Sequence, residues 1–305
     1  PGATPPLPDR RGSSLIGTRK ALPERSFAER LNYLVTNRVP RRWLTLFVGR
    51  FSRVENPLLG WLSIRVWQLF VDDLRLFEAR KQTFRSLHDC FIRELKPGAR
   101  PLDPDPAALT SPCDAVIGEF GTVTGGQVLQ AKGFPYTLQE LFGDTQLADE
   151  AEGMRYVTLR LKSSMYHRFH APCDAQLHDV RYISGDTWNV NPVALKTIER
   201  LFCRNERAVL RLRTTATGQP VTIVAVAAIL VASMRLHGIN VALNLEYDGP
   251  RRIRCERNLA KGEEIGYFEQ GSTLVMFVPP GYRLAPGLTL GDTIRMGRRL
   301  FAPIS

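Results

Sequence analysis

Ile265-Gly266-Tyr267-Phe268-Glu269-Gln270-Gly271-Ser272-Thr273-Leu274-Val275-Met276-Phe277-Val278 decides how the chain is read. Aromatic and β-branched residues crowd two short runs, 264–268 and 273–277, with Gly271-Ser272 between them. Such residues suit a pleated surface, so each run is expected as a strand, with the chain turning at Ser272.

Outward from this stretch, the same texture of short runs punctuated by glycine and proline reaches back to Pro101. Strands are expected over 115–120, 127–132, 155–161, 175–183, 207–213, 221–231 and 240–245. Gly125-Gly126 reads as a hairpin turn, and 192–202 as a helix. Before Pro101 the period changes. Leu31, Leu34 and Val35, then Leu44, Phe47, Val48 and Phe51, then Leu58, Leu62, Val66, Leu69 and Phe70 recur at helical spacing. They predict amphipathic helices over 27–37 and 40–74, and a further helix is expected over 77–95, ended by Pro97. Residues 1–26, rich in proline, glycine and basic side chains, read as a flexible lead-in. The expected class is α+β: a helical region over 27–100, then a β-rich body of mainly antiparallel strands over 101–305 that holds the site.

With 305 residues, 44% of them hydrophobic, the chain can bury a full core. Lys and Arg number 41 against 30 Asp and Glu, a net charge of +11 that favours a polyanionic partner. Many of the arginines fall beside Trp43, Phe47, Phe51, Trp61, Trp67 and Phe70, the composition of a helix at a membrane interface. Packing on the body is the alternative use of the same helices. No RNA-binding signature accompanies them, so nucleic acid is not expected as a partner. Cys90, Cys113, Cys173, Cys203 and Cys255 are odd in number and widely spaced, which argues for reduced thiols facing a cytosol and against a metal site or disulfide framework. The longest apolar run, 221–234, is shorter than the roughly 20 residues of a spanning helix. The chain shows no secretory hydrophobic region, and its first residue, Pro1, reads as a processed start.

Three segments carry chemistry: Ser111-Pro112-Cys113-Asp114, Tyr166-His167-Arg168-Phe169-His170-Ala171-Pro172 and Gly271-Ser272-Thr273. Together they supply one hydroxyl nucleophile, two imidazoles and one carboxylate, the parts of an activated serine. Each is common in isolation, since Ser-Pro-x-Asp usually makes a turn. His88, His178 and His237 are read as structural or surface residues. The residues alone give a basic β-rich domain with a Ser/His/Asp site. They leave open a hydrolase that keeps its backbone whole, although no G-x-S-x-G elbow surrounds Ser272. A basic membrane- or nucleic-acid-binding module with a degenerate site is also left open.

In this order and with these flanks, the segments resemble the phosphatidylserine decarboxylase family. The likeness runs from about Leu31 to Pro303 and includes Cys90-Phe91-Ile92-Arg93-Glu94-Leu95-Lys96-Pro97-Gly98-Ala99-Arg100-Pro101. It also includes Gln130-Ala131-Lys132-Gly133, Gly185-Asp186 through Val190-Asn191, and Leu201-Phe202-Cys203-Arg204-Asn205-Glu206-Arg207. The family most often has leucine where this chain has Gln270, and glycine where it has Ala115. The resemblance implies a precursor that cuts itself between Gly271 and Ser272 into a large β chain and a small α chain. Ser272 then becomes a pyruvoyl cofactor, which forms a Schiff base with the substrate amine and draws electrons from the bond being broken. By motif position His170 is the base, Asp114 orients it, and His167 reprotonates the product; no metal takes part. The implied reaction turns phosphatidylserine into phosphatidylethanolamine and carbon dioxide, in phospholipid biosynthesis on an anionic membrane surface. The implied location is peripheral, on the cytoplasmic face of a bacterial inner membrane or, alternatively, on the mitochondrial inner membrane. A homodimer is left open.

Overall fold

The computed structural model describes residues 41–304, without 72, 131–133, 229–232, 240, 241, 245, 270 and 271; for 41–46 it describes the helical backbone only. The expected lead-in over 1–26, the helix over 27–37, Gln270 and Gly271 lie outside the described residues.

Strands are numbered along the chain. β14 (Ser272–Val278) is buried at all of its positions. A strand with apolar side chains on both faces needs a layer against each. It runs through an eight-stranded sheet in the order β12 (Arg252–Leu259), β7 (Ala175–Ile183), β8 (Arg207–Thr214), β9 (Pro220–Ala227), β14, β5 (Arg155–Leu161), β2 (Ala115–Thr122) and β16 (Thr293–Ile294), every pair antiparallel. Alternation sends Leu274, Met276 and Val278 to one face and Val275 and Phe277 to the other.

On the first face the core is shared with β6 (Arg168–His170), β10 (Ser233–Leu236), β11 (Ala242–Asn244) and β13 (Glu264–Phe268), a four-stranded sheet in the order β11-β10-β13-β6. The sheet formed by β1 (Leu109–Thr110), β15 (Tyr282–Leu284) and β17 (Arg299–Pro303) closes the same side. On the second face lie the hairpin β3 (Gln127–Gln130) and β4 (Phe134–Thr137) and four short helices, α4 (Leu138–Phe142), α5 (Thr145–Glu150), α6 (Pro192–Leu195) and α7 (Leu201–Arg204). Each fully buried Leu, Met or Phe of these layers stabilises the fold by roughly 1.5–3 kcal/mol. Gly125 and Gly126 make the expected turn between Thr124 and Gln127, both at positive φ, and donate to the Glu152 carboxylate.

Ahead of this body stand α1 (Arg41–Ser52) and α2 (Pro57–Gln68), the latter capped by Asn56, whose side chain accepts from Leu58 N and Leu59 N. Ile64 of α2 packs with Leu74 and Cys90 in a small cluster of its own. The helix expected over 77–95 does not form. A 3-10 turn, Leu76–Glu78, and a short helix α3 (Leu87–Phe91) replace it, because the segment doubles back. Ala79 lies opposite Leu95, with Arg80 N bonded to Glu94 O and Lys96 N to Glu78 O. The helix expected over 192–202 is likewise split into α6 and α7. The Gln130 side chain enters the gap, donating to Leu195 O and Ile198 O and accepting from Leu201 N. Ala115 raises no backbone conflict: it opens β2 opposite Ile294, and among the described non-glycine residues positive φ occurs at Arg75 and Arg200.

Candidate active site

Ser272 is the first residue of β14, paired with Leu161 of β5 and Ala227 of β9. Its side chain is fully buried, and its Oγ has no hydrogen-bond partner among the described residues; the same holds for Thr273 Oγ1.

His167 is also fully buried. Its Nδ1 lies 2.8 Å from Met165 O and must donate there, since a carbonyl can only accept. Nε2 therefore carries the lone pair, and it has no partner among the described residues. The Phe91 ring covers the imidazole at a centroid distance of 4.1 Å. Burial pushes the His167 pKa down to about 3, so the ring is neutral. By the same logic His170 donates from Nδ1 to Gly262 O at 3.0 Å and accepts at Nε2 from the Tyr166 hydroxyl at 3.0 Å. Burial lowers its pKa as well.

Asp114 sits elsewhere than the sequence suggests. Arg100 grips its carboxylate, Nε to Oδ1 at 2.9 Å and Nη2 to Oδ2 at 2.5 Å, and Met296 N adds a bond of 2.9 Å. Arg100 Nη2 also reaches Glu78 Oε2 at 2.8 Å. No hydrogen bond joins Asp114 to His170 among the described residues: the Gly262 carbonyl fixes the tautomer that Asp114 was expected to set. The two segments meet through the backbone, His170 N donating to Pro112 O at 2.8 Å. The Asp114 charge acts on His170 through space, raising its proton affinity slightly against the larger effect of burial.

Two residues before the expected cut, buried Glu269 accepts from Arg53 Nη2 at 2.6 Å and from Ser233 Oγ, with Arg235 Nε at 3.5 Å and His88 Nε2 at 3.7 Å. Burial alone would raise its pKa, but these partners hold it below the ordinary glutamate value. His88 thus takes the structural of its two expected roles, packed beside this carboxylate.

A groove of about 850 Å³ opens between the helices and the rim of the large sheet. Phe51, Trp67, Phe70 and Phe91 line its helical side; Leu161 and Ala228 line the other. Leu161 is the cross-strand partner of Ser272, Ala228 follows its other partner, and Phe91 covers His167.

A family model described as phosphatidylserine decarboxylase matches residues 87–302, a span that holds Asp114, both histidines and Ser272. The chain belongs to the phosphatidylserine decarboxylase family. It is 34% identical over 273 residues to the phosphatidylserine decarboxylase proenzyme of Aliivibrio salmonicida, covering 85% of this chain and 93% of that protein. Against the proenzyme of Vibrio cholerae it is 35% identical over 270 residues, covering 85% and 94%.

In this family member several of the sequence blocks beside the catalytic letters prove to be scaffolding. Arg93, buried, donates to Leu74 O, Cys90 O and Ser164 O. Buried Asn205 ties the Trp188 backbone to Ala227 O, and so to the strand that flanks Ser272. Gly185 approaches Arg204 O so closely that a Cβ there would stand 2.5 Å away. Sequence reasoning missed Tyr166, Arg100 and Glu269. The first two lie inside quoted motifs, but nothing in the spacing says whom they bond.

Proposed function

We propose that the chain is a phosphatidylserine decarboxylase proenzyme that cuts itself between Gly271 and Ser272 and then acts at a bilayer surface. Family membership supports the reaction, conversion of phosphatidylserine to phosphatidylethanolamine and carbon dioxide. The observation that carries self-processing is the buried, unpartnered Ser272 hydroxyl. An unsatisfied buried hydroxyl costs about 1–3 kcal/mol, and the fold keeps one at the first residue of a central strand.

In the cut, Ser272 Oγ attacks the Gly271 carbonyl and converts the peptide bond to an ester. Removal of the Ser272 α-proton then expels the Gly271 carboxylate, and hydrolysis of the resulting dehydroalanine releases ammonia. His170 is the assigned base, with Asp114 favouring the imidazolium by charge; its Nε2 lone pair is held by the Tyr166 hydroxyl at rest, so that bond must open for Nε2 to take the Ser272 proton. The pyruvoyl group implied by the family would be formed from Ser272, and the residues fit it, since its side chain is enclosed and no partner competes for it. When present it supplies an electron-withdrawing α-keto carbonyl to the substrate amine. His167 Nε2, enclosed and free of a partner, is assigned to deliver a proton to the substrate carbon; neutral at rest, it must first take that proton up from solvent, because the decarboxylation consumes one.

Residues 27–100 are assigned to membrane association and 101–305 to catalysis. No described helix is long and apolar enough to cross a bilayer. Leu58, Leu69 and Phe70 are nonetheless 72%, 80% and 81% exposed, which supports peripheral attachment through an apolar face.

A denaturing gel with intact-mass measurement tests the reading. The wild-type chain should run as two fragments, the small one starting at residue 272, and Ser272→Ala as one uncut, inactive chain. His167→Ala should cut yet turn over poorly. An active wild-type chain that stays whole would establish an ordinary hydrolase instead, and a whole inert chain a degenerate module.

A further inference from the structure

We infer that Arg160, at the polar end of the groove beside Ser272, anchors the phosphodiester of the phospholipid headgroup. The inference deepens the decarboxylase reading and rests on it. Arg160 is the cross-strand partner of Thr273 and so lies on the sheet face opposite to the Ser272 side chain, but at the rim it lines the same groove as Leu161, the partner of Ser272. A smaller cavity of about 360 Å³ lies on its other side, but only the larger one includes Leu161 and Ala228, the residues next to Ser272.

Among the described residues the Arg160 side chain makes no hydrogen bond and no ion pair, although the residue is partly buried. The most deeply buried guanidiniums each hold several protein acceptors. Arg93 holds three carbonyls, Arg100 two carboxylates, and Arg207 the carbonyls of Leu141, Cys203, Asn205 and Glu140. Burial lowers the Arg160 pKa with no anion to offset it. On the groove wall its five donors are left to water or to a ligand that brings acceptors. Lys162, on the same rim, already has a partner.

Two carboxamides extend this donor surface. Asn189 Oδ1 accepts from Asn191 N and Asn191 Oδ1 accepts from Ala194 N, both at 2.8 Å, so each side chain keeps an unbonded NH2 on the groove. Donors without acceptors beside an apolar channel fit an anion that carries hydrocarbon tails. A phosphodiester matches, because its two non-bridging oxygens accept the parallel N–H bonds of a guanidinium. The substrate carboxylate is the poorer partner: it must leave as neutral carbon dioxide, and an arginine holding its charge would stabilise the ground state.

Equilibrium binding to the uncut Ser272→Ala chain tests this without needing the cofactor. The probes are short-chain phosphatidylserine and phosphatidylethanolamine below their micelle concentrations. The second keeps the phosphate and lacks the carboxylate. Arg160→Gln should weaken both by a similar factor of about 10 to 100, the loss expected for charge-assisted hydrogen bonds, and Arg160→Lys should weaken them less. In processed enzyme the same change should raise KM more than it lowers kcat. Unchanged binding of either lipid, or a loss confined to phosphatidylserine, would overturn the assignment. A second measurement needs no Arg160 variant. Glycerophosphoethanolamine, a phosphodiester without acyl chains, should compete with the lipid for the Ser272→Ala chain, and its failure to compete also overturns the assignment. Failure of wild-type chain to cut or decarboxylate would instead defeat the functional reading, and it is scored separately on the gel.

Discussion

Arg53, just past the end of α1, and Glu269, two residues ahead of Gly271, meet at 2.6 Å across 216 residues of sequence. This bond ties the helical layer to the segment that carries the expected cut. Glu269→Gln should therefore slow processing, seen as uncut chain accumulating on a gel after synthesis. The same change in the Ser272→Ala background should lower stability by about 1–3 kcal/mol, read from a urea midpoint. Most of that comes from Ser233 and the buried site, because Arg53 and Arg235 are half-exposed and remain solvated when unpaired. Normal processing with an unchanged midpoint would show that the segment is held by other means.

Asp114→Asn should act chiefly on the fold. It strips the charge from a buried Arg100–Asp114 pair, both side chains under 10% exposed, and breaking such a pair costs about 3–5 kcal/mol. His170→Ala removes no charge partner, so its urea midpoint should fall less while its processing fails. Equal midpoints for the two variants would mean that Arg100 finds full compensation from Glu78.

The buried histidines predict acid lability with a definite sign. His167 and His170 both have pKa values depressed by burial, the former to about 3, against an unfolded value near 6.5. From pH about 6.5 down to about 3 the unfolded chain binds protons that the folded chain refuses. Their contribution is complete above that window and is lost as the pH falls through it, by about 1.4 kcal/mol per pH unit for one fully titrating histidine. Carboxylates add to the loss, so the test is a difference. In the Ser272→Ala chain, His167→Gln should flatten the dependence of the urea midpoint on pH between about 6 and 4. A slope identical to that of the parent would show that His167 is protonated in the folded state.

Attachment to vesicles should divide into a salt-sensitive and a salt-insensitive part. Arg50 and Arg65 are exposed, whereas Arg53 is committed to Glu269, so the charge variant is Arg50→Gln with Arg65→Gln. Each exposed arginine should contribute about 1 kcal/mol to binding on an anionic bilayer at low salt. Replacing Leu69 and Phe70 with alanine should lower binding at every salt concentration. Co-sedimentation with phosphatidylserine vesicles measures both, and indifference to all four changes would move the lipid contact to another face.

How much was legible depended on how local the cause was. β5, β7 and β13 fall on the expected residues, because each carries its own dense run of strand-favouring side chains. The helices over 77–95 and 192–202 failed because their breaks come from distant partners: the return of Glu94 O to Arg80, and Gln130 reaching across the second face. Strands as short as β1 and β16, two residues each, carry no readable pattern and exist through β17 and β2. At the site, motif order picked out Ser272, His167 and His170, but not their bonds. A carbonyl such as Gly262 O belongs to every residue alike, so no side-chain pattern could name it as the partner of His170.

The placement of β14 also sets the life history of each molecule. A cut ahead of Ser272 would free residues 272–305 from the covalent chain, yet that piece supplies a central strand and an edge strand of the large sheet and the middle strand of the three-stranded one. To withdraw it would tear open the core on both faces of β14 at once. Fragments of different molecules could therefore not be exchanged, and an inactive small piece could not be swapped for a sound one supplied separately. Each copy would be matured once, from its own serine, and a copy that matured badly could be replaced only by new synthesis.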